Sequence, residues 1–247
     1  MHNFKAAFMN ELYKISKRKK ITVAAIVTFA IIALGALLTS TVSNFAGINL
    51  TGNSEFALLC LPVFVYIAVP LFIIFVTNDL FCGEFSDNTV KTTLLTPATR
   101  VQIFSAKVCV VLVFAAYMLA LAMVLGFVVG VIIGQTEYAF IRIFFSYLLS
   151  LLPIGVIVAM AALISNLAKG SGSSFLICVA VYILSGAAGL IYPSAVSFLP
   201  TGSMGMYILL GAPLISFGKI IRLLLICIGY SVMLYAAGIS VFDAREI

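Results

Sequence analysis

The sequence predicts an all-α integral membrane protein with six transmembrane helices and both termini cytoplasmic. Three observations predict it. The 247 residues are 64% hydrophobic and only 9% charged, where a soluble domain runs at about 45–50% and about 25%. The apolar runs are continuous and about 20 residues long, unlike the alternating ten-residue segments of a membrane barrel. The basic residues also divide unequally between the two sets of loops. The chain reads as a single transmembrane domain over residues 1–247.

Residues 1–20 carry six of the fourteen basic residues, directly before an apolar run. Phe4, Phe8, Leu12 and Ile15 recur at helical spacing, with Lys5, Lys14 and Lys17 on other faces. This predicts an amphipathic helix in the cytoplasmic interface, touching membrane lipid. It also accounts for the formal charge of +6 without a nucleic-acid partner. The apolar run from Ile21 to Thr39 is too long for the core of a cleavable signal, so it is expected to stay as an anchor.

Spans are expected at about 21–40, 56–77, 107–134, 143–165, 173–192 and 220–242. Pro62, Pro70 and Pro153 fall inside them, where neighbouring helices can satisfy the carbonyls that proline leaves without an amide partner. In the third span Gly126, Gly130 and Gly134 stand four apart, a small-residue face suited to close helix packing. In-chain packing is the default partner, with a second copy as the alternative.

No charge occurs between Lys169 and Lys219, and prolines and glycines interrupt residues 193–217. One or two short helices dipping into the outer leaflet are expected there, with Lys219 and Arg222 reaching outward. The rival is a seventh span. Six spans with the amino terminus inside place eleven basic residues in the cytoplasm and Arg142, Lys219 and Arg222 outside, as the positive-inside rule requires.

Catalytic chemistry is hard to place. His2 is the one histidine, which leaves no histidine-based metal or nucleophile site. The five cysteines are scattered and read as small buried hydrophobes. No acidic residue sits in the middle of a span, against the buried relay of a proton-coupled carrier. "KGSGSS" at 169–174 lacks the GxxxxGK[ST] order of a phosphate loop and reads as a tight turn between the fourth and fifth spans. The chain is therefore not expected to be an enzyme or to bind a cofactor or metal. If ATP is used, another chain hydrolyses it.

One charged stretch, "GEFSDNTVKTTLLTPATR" at 83–100, interrupts the apolar sequence on the cytoplasmic side. Glu84 and Phe85 open it, and Ser86 or Asp87 can cap a short helix whose start suits carboxylates. Val90, Leu94 and Leu95 line one side of that helix, with Lys91 elsewhere. Pro97 stops it and is expected to open the next, capped by Thr96 and carrying Arg100 and Lys107 into the third span. A capped helix with an apolar edge reads as a docking element.

These residues resemble the cytoplasmic segment of type-2 ABC transporter permeases: a glutamate, a threonine-containing turn, "LL", a proline, a basic residue, and a lysine entering the third span. Here they are Glu84, Thr89, Leu94, Leu95, Pro97, Arg100 and Lys107, with Asn88 where glycine is common. "NELYKISKRKK" at 10–20 and "VFDAREI" at 241–247 also resemble the family's ends.

The resemblance implies a multi-pass half-transporter of a bacterial plasma membrane. Two such permeases, copies or paralogues, would pair above two cytoplasmic ATPase subunits holding ATP and Mg. Residues 84–100 would be the coupling helix, with Glu84, Phe85, Asp87, Thr89, Lys91, Leu94, Leu95, Pro97 and Arg100 facing the ATPase. The expected cargo is a hydrophobic or amphipathic substrate, best an antimicrobial-type peptide, moved outward. The alternatives are an energy-independent channel or secondary carrier, and a docking subunit without transport.

Overall fold

Six apolar helices long enough to cross a bilayer follow one short amphipathic helix. The computed structural model describes residues 2–17, 19–46, 55–83, 99–133, 140–168, 170–191, 199–211 and 217–244. Helix α1 is His2–Ser16 and α2 is Lys19–Ala46; α3 covers Phe56–Gly83, α4 Arg100–Ile132, α5 Phe140–Leu167, α6 Ser171–Ile191 and α7 Phe217–Ala244. Among the described residues there is no strand, and helices α2 to α7 are the six spans. Between α6 and α7 a 3₁₀ helix, Pro200–Gly211, packs against α5, α6 and α7. It falls where short outer helices are expected, and among the described residues no seventh spanning helix stands there.

The spans divide into a core and a periphery. Within their most apolar windows, α3, α4 and α5 are 56%, 44% and 56% buried, against 17%, 11% and 6% for α2, α6 and α7. The inner three surround Leu61, Phe64, Ile73, Val110, Ile154 and Val158, all sealed from solvent. The outer three keep wide apolar faces, such as Leu34, Leu37 and Leu38 on α2 and Leu176, Ile183 and Leu184 on α6. In a bilayer such faces cost nothing, because lipid tails are as apolar as leucine.

Proline shapes α3. The helix runs through Pro62, then widens into a π turn at Phe64–Ala68 just before Pro70. There the Val69 amide reaches back to the Phe64 carbonyl. Pro70 offers no amide to the Tyr66 carbonyl, and the Tyr182 hydroxyl of α6 donates to it instead at 2.8 Å. A neighbouring helix thus satisfies a carbonyl left over by proline.

Glycine sets two close approaches. A Cβ on Gly126 of α4 would lie 3.2 Å from the Ala57 Cα of α3, and the buried Tyr147 hydroxyl of α5 donates to the Ala57 carbonyl at 2.9 Å. The glycine face of the third span therefore packs within the chain at Gly126. Gly130 is also buried, and Gly134 lies outside the described residues. At the other end of the bundle Gly238 of α7 sits closer still. A Cβ there would be 2.7 Å from Phe104 Cζ, in a ring cluster of Phe81, Phe104, Tyr235 and Phe242.

The α5–α6 connection is short, as expected of "KGSGSS". Leu167 ends α5 and Ser171 starts α6, and the Gly170 carbonyl accepts from the Ser174 amide at 3.0 Å.

Candidate functional site

The end of the bundle that holds both described termini concentrates the buried charge. Lys20, at the start of α2, pairs with Asp79 near the end of α3 at 2.7 Å, and its ammonium lies 4.2 Å from the centre of the Phe75 ring. Arg100, at the start of α4, donates to the Asp243 carbonyl at the end of α7 at 2.8 Å. These contacts put the start of α2, the end of α3, the start of α4 and the end of α7 on one face.

Helix α1 lies against that face. Ile15 is buried, Phe8 and Leu12 pack on the core, and Phe4 stacks on Phe8. The apolar stripe thus turns toward the protein, chiefly α4, beyond the lipid contact expected of it. Glu11 stands on the same stripe, three residues after Phe8 and four before Ile15, and is carried into the bundle with its side chain 2% exposed. It meets Lys107 of α4, 4% exposed, at 3.3 Å. Lys107 also donates to the Leu80 carbonyl of α3 at 3.0 Å, and Lys14 holds the other Glu11 oxygen at 2.9 Å. One carboxylate and one ammonium therefore tie α1, α3 and α4 together. A buried charge survives only when paired and hydrogen-bonded, and both conditions are met here.

The start of α4 is fixed locally as well. Thr99 caps it, accepting from the Gln102 amide at 3.3 Å, while the Gln102 side chain accepts from the Thr99 amide at 3.2 Å. This reciprocal box satisfies two helix-end donors. The helix entering the third span therefore opens at Arg100, where the sequence places its start at Thr96 and Pro97. The signal was present: Thr99-x-x-Gln102 is a capping-box spacing that Pro97 overshadowed.

The end of α3 is held from the opposite side. Asn78 donates to the Ser171 carbonyl of α6 at 2.7 Å, and Cys82 to the Ser165 carbonyl of α5 at 2.9 Å. The last residues, Asp79–Gly83, form a second π turn.

Residues 84–98 connect these two anchored ends. Glu84, Phe85, Asp87, Thr89, Lys91, Leu94, Leu95 and Pro97 lie outside the described residues. Of the set assigned to ATPase contact, Arg100 is described, half-buried and bonded to α7. Sequence reading named Lys107 only as a base entering the third span and passed over Glu11. A lone acid on an apolar stripe was the available clue.

The helix ends on either side of residues 84–98 are thus both bonded to other helices, α3 to α2, α4, α5 and α6 and α4 to α1, α3 and α7. Among the described residues no three His, Cys, Asp or Glu side chains gather as a metal site.

Residues 7–189 match a family model described as ABC-2 family transporter protein. No curated protein matches the chain.

Proposed function

From the premise that the chain belongs to the ABC-2 transporter family and is a permease subunit of an ABC transporter, we propose that it exports a hydrophobic or amphipathic substrate, best an antimicrobial-type peptide. Energy comes from a separate cytoplasmic ATPase subunit that binds ATP and Mg. Two permeases, identical or paralogous, form the pathway in a bacterial plasma membrane. Residues 84–100 seat in the ATPase, with Glu84, Phe85, Asp87 and Thr89 at its start, Lys91, Leu94 and Leu95 along the helix, and Pro97 and Arg100 at its exit.

The observation that supports this reading is the double anchoring of that segment. Its incoming end is tied through Asp79, Leu80 and Cys82, and its outgoing end through Arg100 and Lys107. A passive solvated connector has no need of bonded anchors at both ends, whereas a segment that receives force from a partner does. The uncharged middles of the spans favour cargo that is itself hydrophobic or amphipathic.

Co-expression with the ATPase tests the reading. Glu84→Ala and Leu95→Asp are expected to reduce co-purification of the ATPase severalfold while the permease still inserts. Transport of an amphipathic peptide into inverted vesicles should require ATP and both subunits. Undiminished co-purification of both variants, or ATP-independent uptake, would overturn it.

A further inference from the structure

A second feature lies at the opposite end of the bundle, away from the coupling segment. Spans α4, α5 and α7 leave a cleft of about 790 Å³ between them, lined by Leu112, Phe145, Leu149, Gly155, Leu224 and Ile228 among others, with Leu210 of the 3₁₀ helix at its side. Ser231 and Cys227 bring the polar side-chain atoms of the lining, and every other lining side chain is hydrocarbon. The cleft opens sideways. Phe145, Leu148, Ile228 and Val232 border it and are all more than half exposed, so its occupant enters from the bilayer.

Its depth and its charge narrow the occupant. The lining runs from Ile220 to Val232 on α7, about 18 Å at 1.5 Å per residue, and from Phe145 to Gly155 on α5, about 15 Å. The hydrocarbon core of a bilayer is about 30 Å thick, so the cleft covers about one leaflet. Basic residues stand where it meets the surface. Arg142 lies one turn before Phe145, Lys219 next to Ile220, and Arg222 two residues before Leu224. They are all the bases assigned to that side by the sequence. The Nε–H of Arg142 is buried and donates to no acceptor among the described residues. On the same side, Glu55 begins α3, and Glu137 lies outside the described residues. Neither belongs to the two helix ends that border the cleft.

We propose that this cleft is a binding site for a phospholipid with an anionic headgroup, its acyl chain along α5 and α7 and its phosphate among Arg142, Lys219 and Arg222. The site is independent of which cargo the transporter moves. A lipid seated there fills the gap between α7 and the core and resists the displacement of α7 relative to α5.

Native mass spectrometry of the full-length protein, released from detergent, reads the site directly. The probes are phosphatidylglycerol and phosphatidylcholine with the same acyl chains. Phosphatidylglycerol is expected to be retained preferentially. Arg142→Gln, Lys219→Gln and Arg222→Gln should each weaken it by about fivefold, the equivalent of about 1 kcal/mol per basic residue at a membrane surface. Gly155→Leu should block the cleft, since a Cβ at Gly155 meets only Leu112 at an ordinary 3.7 Å. Ile228→Trp, at an exposed lining position, serves as a second filling variant should the first misfold. Equal retention of both lipids, or full phosphatidylglycerol binding by a folded filling variant, would overturn the proposal. So would efficient crosslinking of Ile228→Cys to a second copy in membranes, which would make the cleft a chain–chain interface.

Discussion

Lys107 can hold its charge inside the bundle because α1 delivers Glu11 to it. The two partners are not equivalent. Among the described residues Glu11 has Lys14 as well as Lys107, whereas Lys107 has Glu11, the Leu80 carbonyl and the face of the Phe81 ring, whose centre is 5.8 Å away. Glu11→Gln therefore takes the carboxylate of this pair away from a buried ammonium, and breaking a buried pair in this way costs about 3–5 kcal/mol. Lys107→Met should cost less, because Glu11 keeps Lys14, whose side chain is 31% exposed and reaches water. Thermal unfolding of the purified variants should rank Glu11→Gln well below Lys107→Met, and the double variant should recover toward Lys107→Met alone. Additive losses would mean that the two side chains do not act as a pair.

The stripe of Phe4, Phe8, Leu12 and Ile15 was legible in the sequence. What it packs against was not, since an apolar face looks the same whether lipid or protein covers it. Glu11 on that stripe is what tells the two apart, because a carboxylate turned toward lipid tails would have no partner.

At the scale of the element, glycine position decides how near the spans come. The three glycines of the expected third span announce themselves by their spacing, and Gly126 does pack within the chain. Yet the tighter approach is at Gly238, a single glycine in α7 with no repeat to mark it. A missing Cβ matters only relative to the ring opposite, and Phe104 is 130 residues away in sequence or more, so no local pattern could reveal it. Phe104 cannot swing aside, because it is buried between Phe81, Tyr235 and Phe242. Gly238→Ala should therefore destabilise by about 1–3 kcal/mol, the usual cost of overpacking. Gly126→Ala needs a shift of only a few tenths of an ångström at Ala57 and should cost less. Unfolding midpoints of the two variants under the same conditions check the order, and a milder Gly238 variant would show that α7 yields easily.

The span positions were read from apolar length alone, and α3 shows the limit of that approach. Pro70 could be seen in the sequence. That Tyr182 would supply the donor for Tyr66 could not, because it depends on how α6 settles against α3.

At the scale of the molecule, the contacts fix which helix ends share a face. Lys20 with Asp79 and Arg100 with Asp243 place the start of α2, the end of α3, the start of α4 and the end of α7 together. Six crossings then return the chain to the side it left, and the seven-span alternative would separate ends that here touch. The positive-inside rule, with eleven basic residues against three, predicts that the face with the termini is cytoplasmic. On that orientation the proposed coupling segment would meet an ATPase inside the cell, and the Arg142, Lys219 and Arg222 end would face the outer leaflet. Reporters fused at residue 1 and after Ile247 should both be active in the cytoplasm, and one inserted at Glu137 should be active outside. An external carboxy terminus would break the six-span topology. A uniformly inverted pattern would keep the topology but put residues 84–98 out of reach of any ATPase, and the proposed coupling role of residues 84–100 would fall with it.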